Sequence, residues 1–318
     1  MPVLEVNNLE TIFATGAGVV QAVSDVSFTL DKEESLGLAG ESGCGKSTTA
    51  MSIMKLIRPP GRIADGKVLF EGEDLVPKTE AEMRHIRGKK ISMVFQGVSN
   101  ALNPVFKLGD QLAEAVLNHE RISKDEALKR AQDILDLVGI DRSRINNYPH
   151  EFSGGMKQRI MIATALICNP NVVIADEPTT ALDVISQGQV LKLIDDLQSK
   201  LGLSLLLITH DLSVIGEVCD KLAIMYAGKI AEYGEVATVL ESPLHPYSEA
   251  LVHAFPPLKG AKRRLESIPG SPPILINPPS GCRFHPRCPH AMDVCRTEDP
   301  RLTEVKGRKV SCHLYPAK

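Results

Sequence analysis

Several features that would settle a protein's class at once are missing from this 318-residue chain. No apolar run approaches the ~20 residues that a membrane-spanning helix needs. The run "LSLLLI", Leu203 to Ile208, has the length of a buried strand. Charge of one sign is also lacking: the formal net charge is −3 and the isoelectric point is near 6.3. Nothing therefore marks a nucleic-acid-binding face. The opening "MPVLEVNNLE" has no basic stretch followed by an apolar run, so no secretory leader is read there. No internal repeat is visible. These absences predict a protein of the cytoplasm, where thiols stay reduced and structural disulfides are disfavoured.

What is present reads as an α/β chain, of a length that suits one large domain or one domain plus an appendage. "VLEVNNLETIF" and "AVSDVSFTL" alternate roughly with period two, as half-buried antiparallel strands do. "SLGLAG", "KKISMVFQ", "NVVIAD" and "SLLLIT" are short apolar runs of buried-strand length. Helices are predicted over Lys46–Ile57, from Ser123 to Val138, from Ser153 onward, and over Val184–Lys200. Ser123 and Glu126 form a capping-box pattern, and Gly139 follows as a stop. "KLAIMYAGKIAEYG" predicts two strands around an Ala-Gly-Lys turn. Strands alternating with helices imply a mostly parallel sheet. Past Ser242 the composition shifts, and "IPGSPPILINPPSG" predicts an extended strap before a cysteine-rich end.

"GESGCGKST", from Gly40 to Thr48, fits G-x-x-x-x-G-K-[ST] between a predicted strand and a predicted helix. Its residues Gly40, Glu41, Ser42, Gly43, Cys44, Gly45, Lys46, Ser47 and Thr48 form the candidate phosphate cradle. Glycines let backbone N–H groups turn toward phosphate oxygens, and the helix N-terminus adds positive potential. Lys46 is the candidate for the β- and γ-phosphates, and the Ser47 hydroxyl for Mg²⁺. Cys44 reads as loop filler ahead of a redox role. "VVIADEPTTALD" places Asp176 at the end of a buried strand, suited to Mg²⁺. Glu177 follows as the candidate to orient or deprotonate the attacking water. No N-K-x-D guanine-reading motif is present, which disfavours a GTPase. "FSGGMKQR" offers a second set of N–H donors at a helix start, through Ser153, Gly154 and Gly155.

On these motifs the chain resembles the ATP-binding cassette (ABC) transporter ATPases. Gln96 (Q-loop), Asp183 in "ALD" (D-loop) and His210 in "LLLITHD" (switch histidine) complete the set, in the family's order. The resemblance implies a P-loop NTPase with an antiparallel β subdomain and an α-helical subdomain at about 98–168. The cassette would cover 1–241, and a small cysteine-rich extension 242–318. It further implies that two cassettes enclose two ATP molecules, each between one subunit's phosphate loop and the other's Ser153-Gly154-Gly155 segment. Glu177, His210 and Gln96 would be catalytic, with Gln96 also reaching Mg²⁺ and the membrane partner. Phe13 lies where the family stacks an aromatic on adenine, beside Val19 or Val20, although an apolar strand position reads equally as core.

Phe152 and Met156 depart from the common L-S-G-G-Q. With "LNPVF", "SPLHPY" and the cysteine tail, "SGGMKQR" resembles the dipeptide and oligopeptide branch. "GVSNA", Gly97–Ala101, departs from that branch's usual wording. The resemblance implies an importer ATPase on the cytoplasmic face of the membrane, acting peripherally. Its partners would be a second, different ATPase, two transmembrane permeases and an extracytoplasmic solute-binding protein, with no nucleic acid. Oligosaccharide or nickel import is the alternative, and a soluble ABC ATPase a more distant one.

The tail contains Cys282, Cys288, Cys295 and Cys312, spaced C-x5-C-x6-C-x16-C. That spacing matches neither the paired C-x2-C of common zinc modules nor the ferredoxin run. By spacing alone, four thiolates suit zinc or an iron–sulfur cluster. His285, His290 or His313 could replace one of them, although they read first as solvated surface histidines. Cys168 and Cys219, in apolar stretches, read as inert core thiols. The family resemblance implies a [4Fe–4S] cluster on the four tail cysteines, as a structural staple.

Overall fold

The computed structural model describes residues 1–97, 102–180, 182–254 and 268–315. Most of the "GVSNA" departure and Ala181 of "ALD" lie outside the described residues. The chain forms two compact units, Met1–Pro77 with Leu207–Lys318, and Lys78–Leu206. The described residues form a mixed α/β architecture built on two sheets.

The first unit opens with β1 (Leu4–Thr15) and β2 (Gly18–Leu30), an antiparallel pair in which Leu4 faces Leu30 and Val6 faces Phe28. Those four side chains are buried, as the period-two pattern requires. β3 (Ser35–Ala39) is buried along its whole length and runs into the glycine loop. α1 (Lys46–Ile53) follows, four residues shorter than the predicted end at Ile57. The backbone departs from helical geometry at Lys55, which takes a left-handed φ of 50°. β4 (Gly61–Phe70) and β5 (Glu73–Asp74) complete a sheet of order β2-β1-β4-β5.

The second unit is mainly helical. α2 (Glu80–Ile86) leads to β6 (Ile91–Val94), and then to α3 (Leu108–Leu117) and α4 (Lys124–Leu137). The capping box read at Ser123 forms: its hydroxyl accepts the Glu126 N–H at 3.2 Å, and Glu126 accepts the Ser123 N–H at 2.9 Å. Gly139, with φ 72°, ends that stretch. α5 (Gly154–Leu166) enters β7 (Val172–Asp176), which pairs in parallel with β6 from Ile91–Val172 to Val94–Ala175. Every residue of both strands is buried. α6 (Val184–Leu201) then leads to β8 (Ser204–Ile208), where the chain returns to the first unit.

There α7 (Leu212–Val218) precedes β9 (Lys221–Tyr226) and β10 (Lys229–Glu235). β9 runs parallel to β3, with Leu38 opposite Ala223, and antiparallel to β10. The predicted Ala-Gly-Lys turn joins β9 to β10, with Ala227 and Gly228 at φ 47° and 86°. After α8 (Val236–Glu241) and α9 (Pro246–Ala254), the strap from Ile268 has no helix or strand, and its Leu275 carbonyl accepts the Gln21 N–H at 2.9 Å. The tail holds the short α10 (Val294–Thr297), then β11 (Thr303–Val305) and β12 (Arg308–Val310). These two strands extend the sheet beyond β10 in the order β11-β12-β10-β9-β3. The core beneath them joins Leu222, Ile224 and Tyr226 to Tyr247 and to Phe284 of the tail.

Candidate functional site

In the first unit the glycine loop adopts a backbone that few other residues could follow. Gly40, Gly43 and Gly45 have φ of 149°, 79° and 108°. A Cβ on Gly40 would lie 2.2 Å from the Met225 carbonyl oxygen, and one on Gly45 2.3 Å from that of Ala22. The loop ends at the N-terminus of α1, which no side chain caps and which has no acidic residue in its first turn. An anion is the natural complement of such a helix end. Lys46 is buried and folds back over the loop, its Nζ donating to the carbonyls of Gly40 at 2.7 Å and Glu41 at 3.1 Å. The ammonium is thus held among loop atoms at the place where phosphate charge would replace carbonyl dipoles. Burial raises the Cys44 thiol above its ordinary pKa, in keeping with its reading as filler.

His210 follows β8 and is exposed. Thr209 is anchored to Leu38 through its N–H at 3.3 Å, and the Thr209 hydroxyl accepts the Asp211 N–H at 3.1 Å. Asp211 in turn caps α7 through Ser213. Phe13 is half-buried in β1, and its ring covers Gly61, where a Cβ would meet it at 2.5 Å.

In the second unit the parallel pairing of β6 and β7 brings the ends of both strands together. Asp176, at the end of β7, is 4% exposed. Glu177 follows with φ 45°, a left-handed conformation that costs a glutamate energy. Its Oε2 accepts from Gln96 Nε2 and from the Thr180 hydroxyl, both at 2.8 Å. Two predicted site residues, Gln96 and Glu177, therefore touch, and Thr180 joins them unpredicted. Ser153 caps α5, its hydroxyl accepting the Met156 N–H at 3.4 Å. Asp183 caps α6 by accepting the Ser186 N–H at 3.0 Å and the Ser186 hydroxyl at 2.7 Å, and these bonds lower its pKa. A Cβ on Gly155 would lie 3.4 Å from the Ser186 hydroxyl, so the two caps are neighbours. Both departures from L-S-G-G-Q share one partner. The Arg144 guanidinium lies 4.2 Å over the Phe152 ring and donates to the Met156 sulfur at 3.6 Å and to the Glu151 carbonyl at 2.9 Å.

Residues 23–180 match the family described as ABC transporter, and residues 231–295 the family described as Oligopeptide/dipeptide transporter, C-terminal region. The chain is 50% identical over 306 residues to the oligopeptide transport ATP-binding protein OppD of Bacillus subtilis, covering 95% of this chain and 86% of that one. The chain belongs to the ABC transporter ATP-binding family. The same bacterium's dipeptide transport ATP-binding protein DppD is 50% identical over 316 residues, covering 98% of this chain and 94% of that one. Among solved structures, the dimeric bacterial ABC transporter cassette MJ0796 superposes with a TM-score of 0.66 at 26% identity, over 73% of this chain and 98% of that one. The same cassette, with the same score and coverage, is also known in a post-hydrolysis state bound to ADP and Pi.

The cysteine tail requires a correction. The expected [4Fe–4S] cluster on Cys282, Cys288, Cys295 and Cys312 does not fit, nor does the zinc alternative. The four thiols do line one small pocket with His245, His285, His290 and His313. Among the described residues, however, no three His, Cys, Asp or Glu side chains are arranged to hold a metal ion. None of the four thiols is in a disulfide, and burial pushes Cys282 up to about 11 and raises Cys288 and Cys312 as well. Three of the histidines are engaged with backbone: His285 Nδ1 lies 3.0 Å from the Cys282 carbonyl, His313 Nε2 2.8 Å from that of Glu298, and His245 Nδ1 accepts the Tyr247 N–H at 2.9 Å.

The sequence reading missed what does hold the tail. Three largely buried arginines reach from it into the rest of the first unit. Arg283 donates to the Ala227 carbonyl, to Gln21 Oε1 at 2.6 Å and to the Ser24 hydroxyl at 3.1 Å. Arg287 grips the Glu41 carboxylate. Arg308 donates to the carbonyls of Thr238 and Ser242 and pairs with fully buried Glu232 at 3.4 Å. Arginines in a tail carry no local sequence signal that would separate a buried staple from a surface charge.

Proposed function

We propose that this chain is the ATP-hydrolysing subunit of an importer of oligopeptides or dipeptides. The observation that carries the reading is Glu177, held in a left-handed backbone with its carboxylate fixed by Gln96 and Thr180. A carboxylate fixed by two donors, one residue past a buried aspartate, is suited to orient a water and take its proton. The glycine loop and Lys46 bind the phosphates, and the uncapped end of α1 adds its N–H groups. Ser47, Asp176 and Gln96 are the residues that would supply ligands to Mg²⁺; the ion would neutralise phosphate charge when bound. His210 is the candidate for γ-phosphate contact, and Phe13 for adenine.

Ser153, Gly154 and Gly155 lie at the N-terminus of a 13-residue helix and complete the ATP site of a second cassette. Pairing of cassettes is supported by Val184 and Ile185, 83% and 75% exposed directly after Asp183. The second cassette is a different chain in this reading. Among the described residues no helix is long and apolar enough to cross a membrane. In this reading, supported by relatives named as transport ATP-binding proteins, separate permeases supply the path and the chain works against their cytoplasmic side. A solute-binding protein delivers the peptide. The relatives' names support peptide over oligosaccharide or nickel. Glu177→Gln should slow ATP hydrolysis roughly 10²–10⁴-fold, the usual worth of a general base, while ATP still binds. Hydrolysis near the wild-type rate would sink this assignment.

A further inference from the structure

Glu41 is the second residue of the phosphate loop and is held on three sides. Its carbonyl accepts from Lys46 at 3.1 Å. Its N–H donates to the Tyr247 hydroxyl at 3.0 Å. Its carboxylate receives both arms of Arg287, Nη1 at 2.7 Å and Nη2 at 3.1 Å, across 246 residues of sequence. Arg287 is itself locked: its side chain is 5% exposed, Nε donates to the Pro269 carbonyl at 2.7 Å, and Nη1 reaches the Tyr226 hydroxyl at 3.3 Å. Tyr226, Tyr247 and Phe284 pack against one another around this contact, at ring separations of 4.6 to 5.4 Å. A second connection runs beside it. Arg283 holds the Ala227 carbonyl, and the next residue, Gly228, donates its N–H to the Cys44 carbonyl of the loop at 2.8 Å.

We propose that Arg287 is a positioning residue for ATP, and that the cysteine-rich tail serves the ATPase by fixing the phosphate loop from outside. The inference rests on the nucleotide reading of that loop. A loop built on three left-handed glycines has wide conformational freedom, and ordering it on binding would weaken the complex. The bidentate grip on Glu41 removes that freedom in advance. It also neutralises a carboxylate belonging to the same loop that must receive polyphosphate. A lysine keeps the charge but cannot span both oxygens in a fixed plane.

The test uses the full chain, with ATP affinity by calorimetry and steady-state hydrolysis for each variant. Arg287→Ala should raise the ATP Kd and KM roughly 10-fold, the loss expected for a charge-assisted bidentate contact, with kcat changed by no more than about 2-fold. Arg287→Lys should fall between wild type and Arg287→Ala. Glu41→Ala combined with Arg287→Ala should bind no more weakly than Arg287→Ala, because the bare carboxylate is gone and both changes break one contact. Wild-type affinity in a folded Arg287→Ala protein would overturn the proposal, as would additive losses in the double variant. A lower melting temperature with unchanged Kd would overturn it too, leaving Arg287 as a staple of the tail only. If Arg287→Ala does not fold, Arg287→Lys decides: wild-type Kd overturns the proposal. A wild-type chain that binds no ATP would defeat the nucleotide reading itself, whereas wild-type binding with an indifferent Arg287 defeats only the tether.

Discussion

The phosphate loop and the cysteine tail look alike in the sequence, each a short run with glycine, cysteine and charged residues at distinctive spacings. They are formed in different ways. The loop's local conformation follows from its own residues, three left-handed glycines and a lysine folded onto loop oxygens within six residues, and the long-range grip of Arg287 on Glu41 is added to it. The tail's shape follows from side chains that act at long range. Its thiols gather without a disulfide, while each of its buried arginines also binds a partner at long range, 56 to 262 residues away. A motif carried by backbone geometry survives translation from sequence to structure. A motif carried by side-chain spacing alone does not fix what those side chains do.

The largest effect expected to test this contrast is at Arg308. Arg308→Ala leaves the buried Glu232 carboxylate with only the N–H groups of Leu244 and His245, and should cost about 3–5 kcal/mol of stability. Urea unfolding checks it. A loss under about 1 kcal/mol, the scale of an exposed pair, would show that arginines do not staple the tail.

His245 should produce a somewhat smaller, acid-dependent loss. Burial depresses its pKa from 6.5 to about 4, only partly offset by its hydrogen bond to the Ser311 backbone carbonyl. Above about pH 6.5 both folded and unfolded states are neutral there and the contribution to stability is flat. Between about 6.5 and 4 the unfolded chain binds a proton that the folded chain refuses. Stability therefore falls through that window, by on the order of 3 kcal/mol at its lower end. The acid limb of an unfolding series should flatten in His245→Gln; an unchanged limb would place the acid sensitivity elsewhere.

The smallest effect is expected at the half-buried thiols. Cys288→Ser and Cys312→Ser should each cost about 1 kcal/mol, as ordinary substitutions do, and leave iron and zinc content unchanged by elemental analysis. Stoichiometric metal lost on either substitution would reverse the comparison between thiols and arginines.

Much of the cassette was legible before its structure. The apolar runs that became β3, β6, β7 and β8 are buried on both faces, so they carry an uninterrupted hydrophobic signal. The capping box at Ser123 and the turn at Ala227-Gly228 are local chemistry and emerged as read. Other features depend on packing. The early end of α1 comes with the backbone turn at Lys55. The Glu177 carboxylate meets Gln96 only through the pairing of β6 with β7. Arg144's hold on both Phe152 and Met156 needs a short 3₁₀ segment at Arg142–Asn146 to pass the signature helix. The strands β11 and β12 are too short to announce themselves and exist by pairing to β10.

The sequence by itself determined the alternating α/β order, the glycine loop and its lysine, and the aspartate–glutamate pair at the end of a buried strand. Each of these is a property of neighbouring residues, set by backbone sterics and hydrophobic period. Only the tertiary structure decided that the four cysteines form no metal-holding group and that Arg287 closes on Glu41. Charge pairing and thiol ionisation depend on which groups meet away from water, and that is known only once the chain has folded.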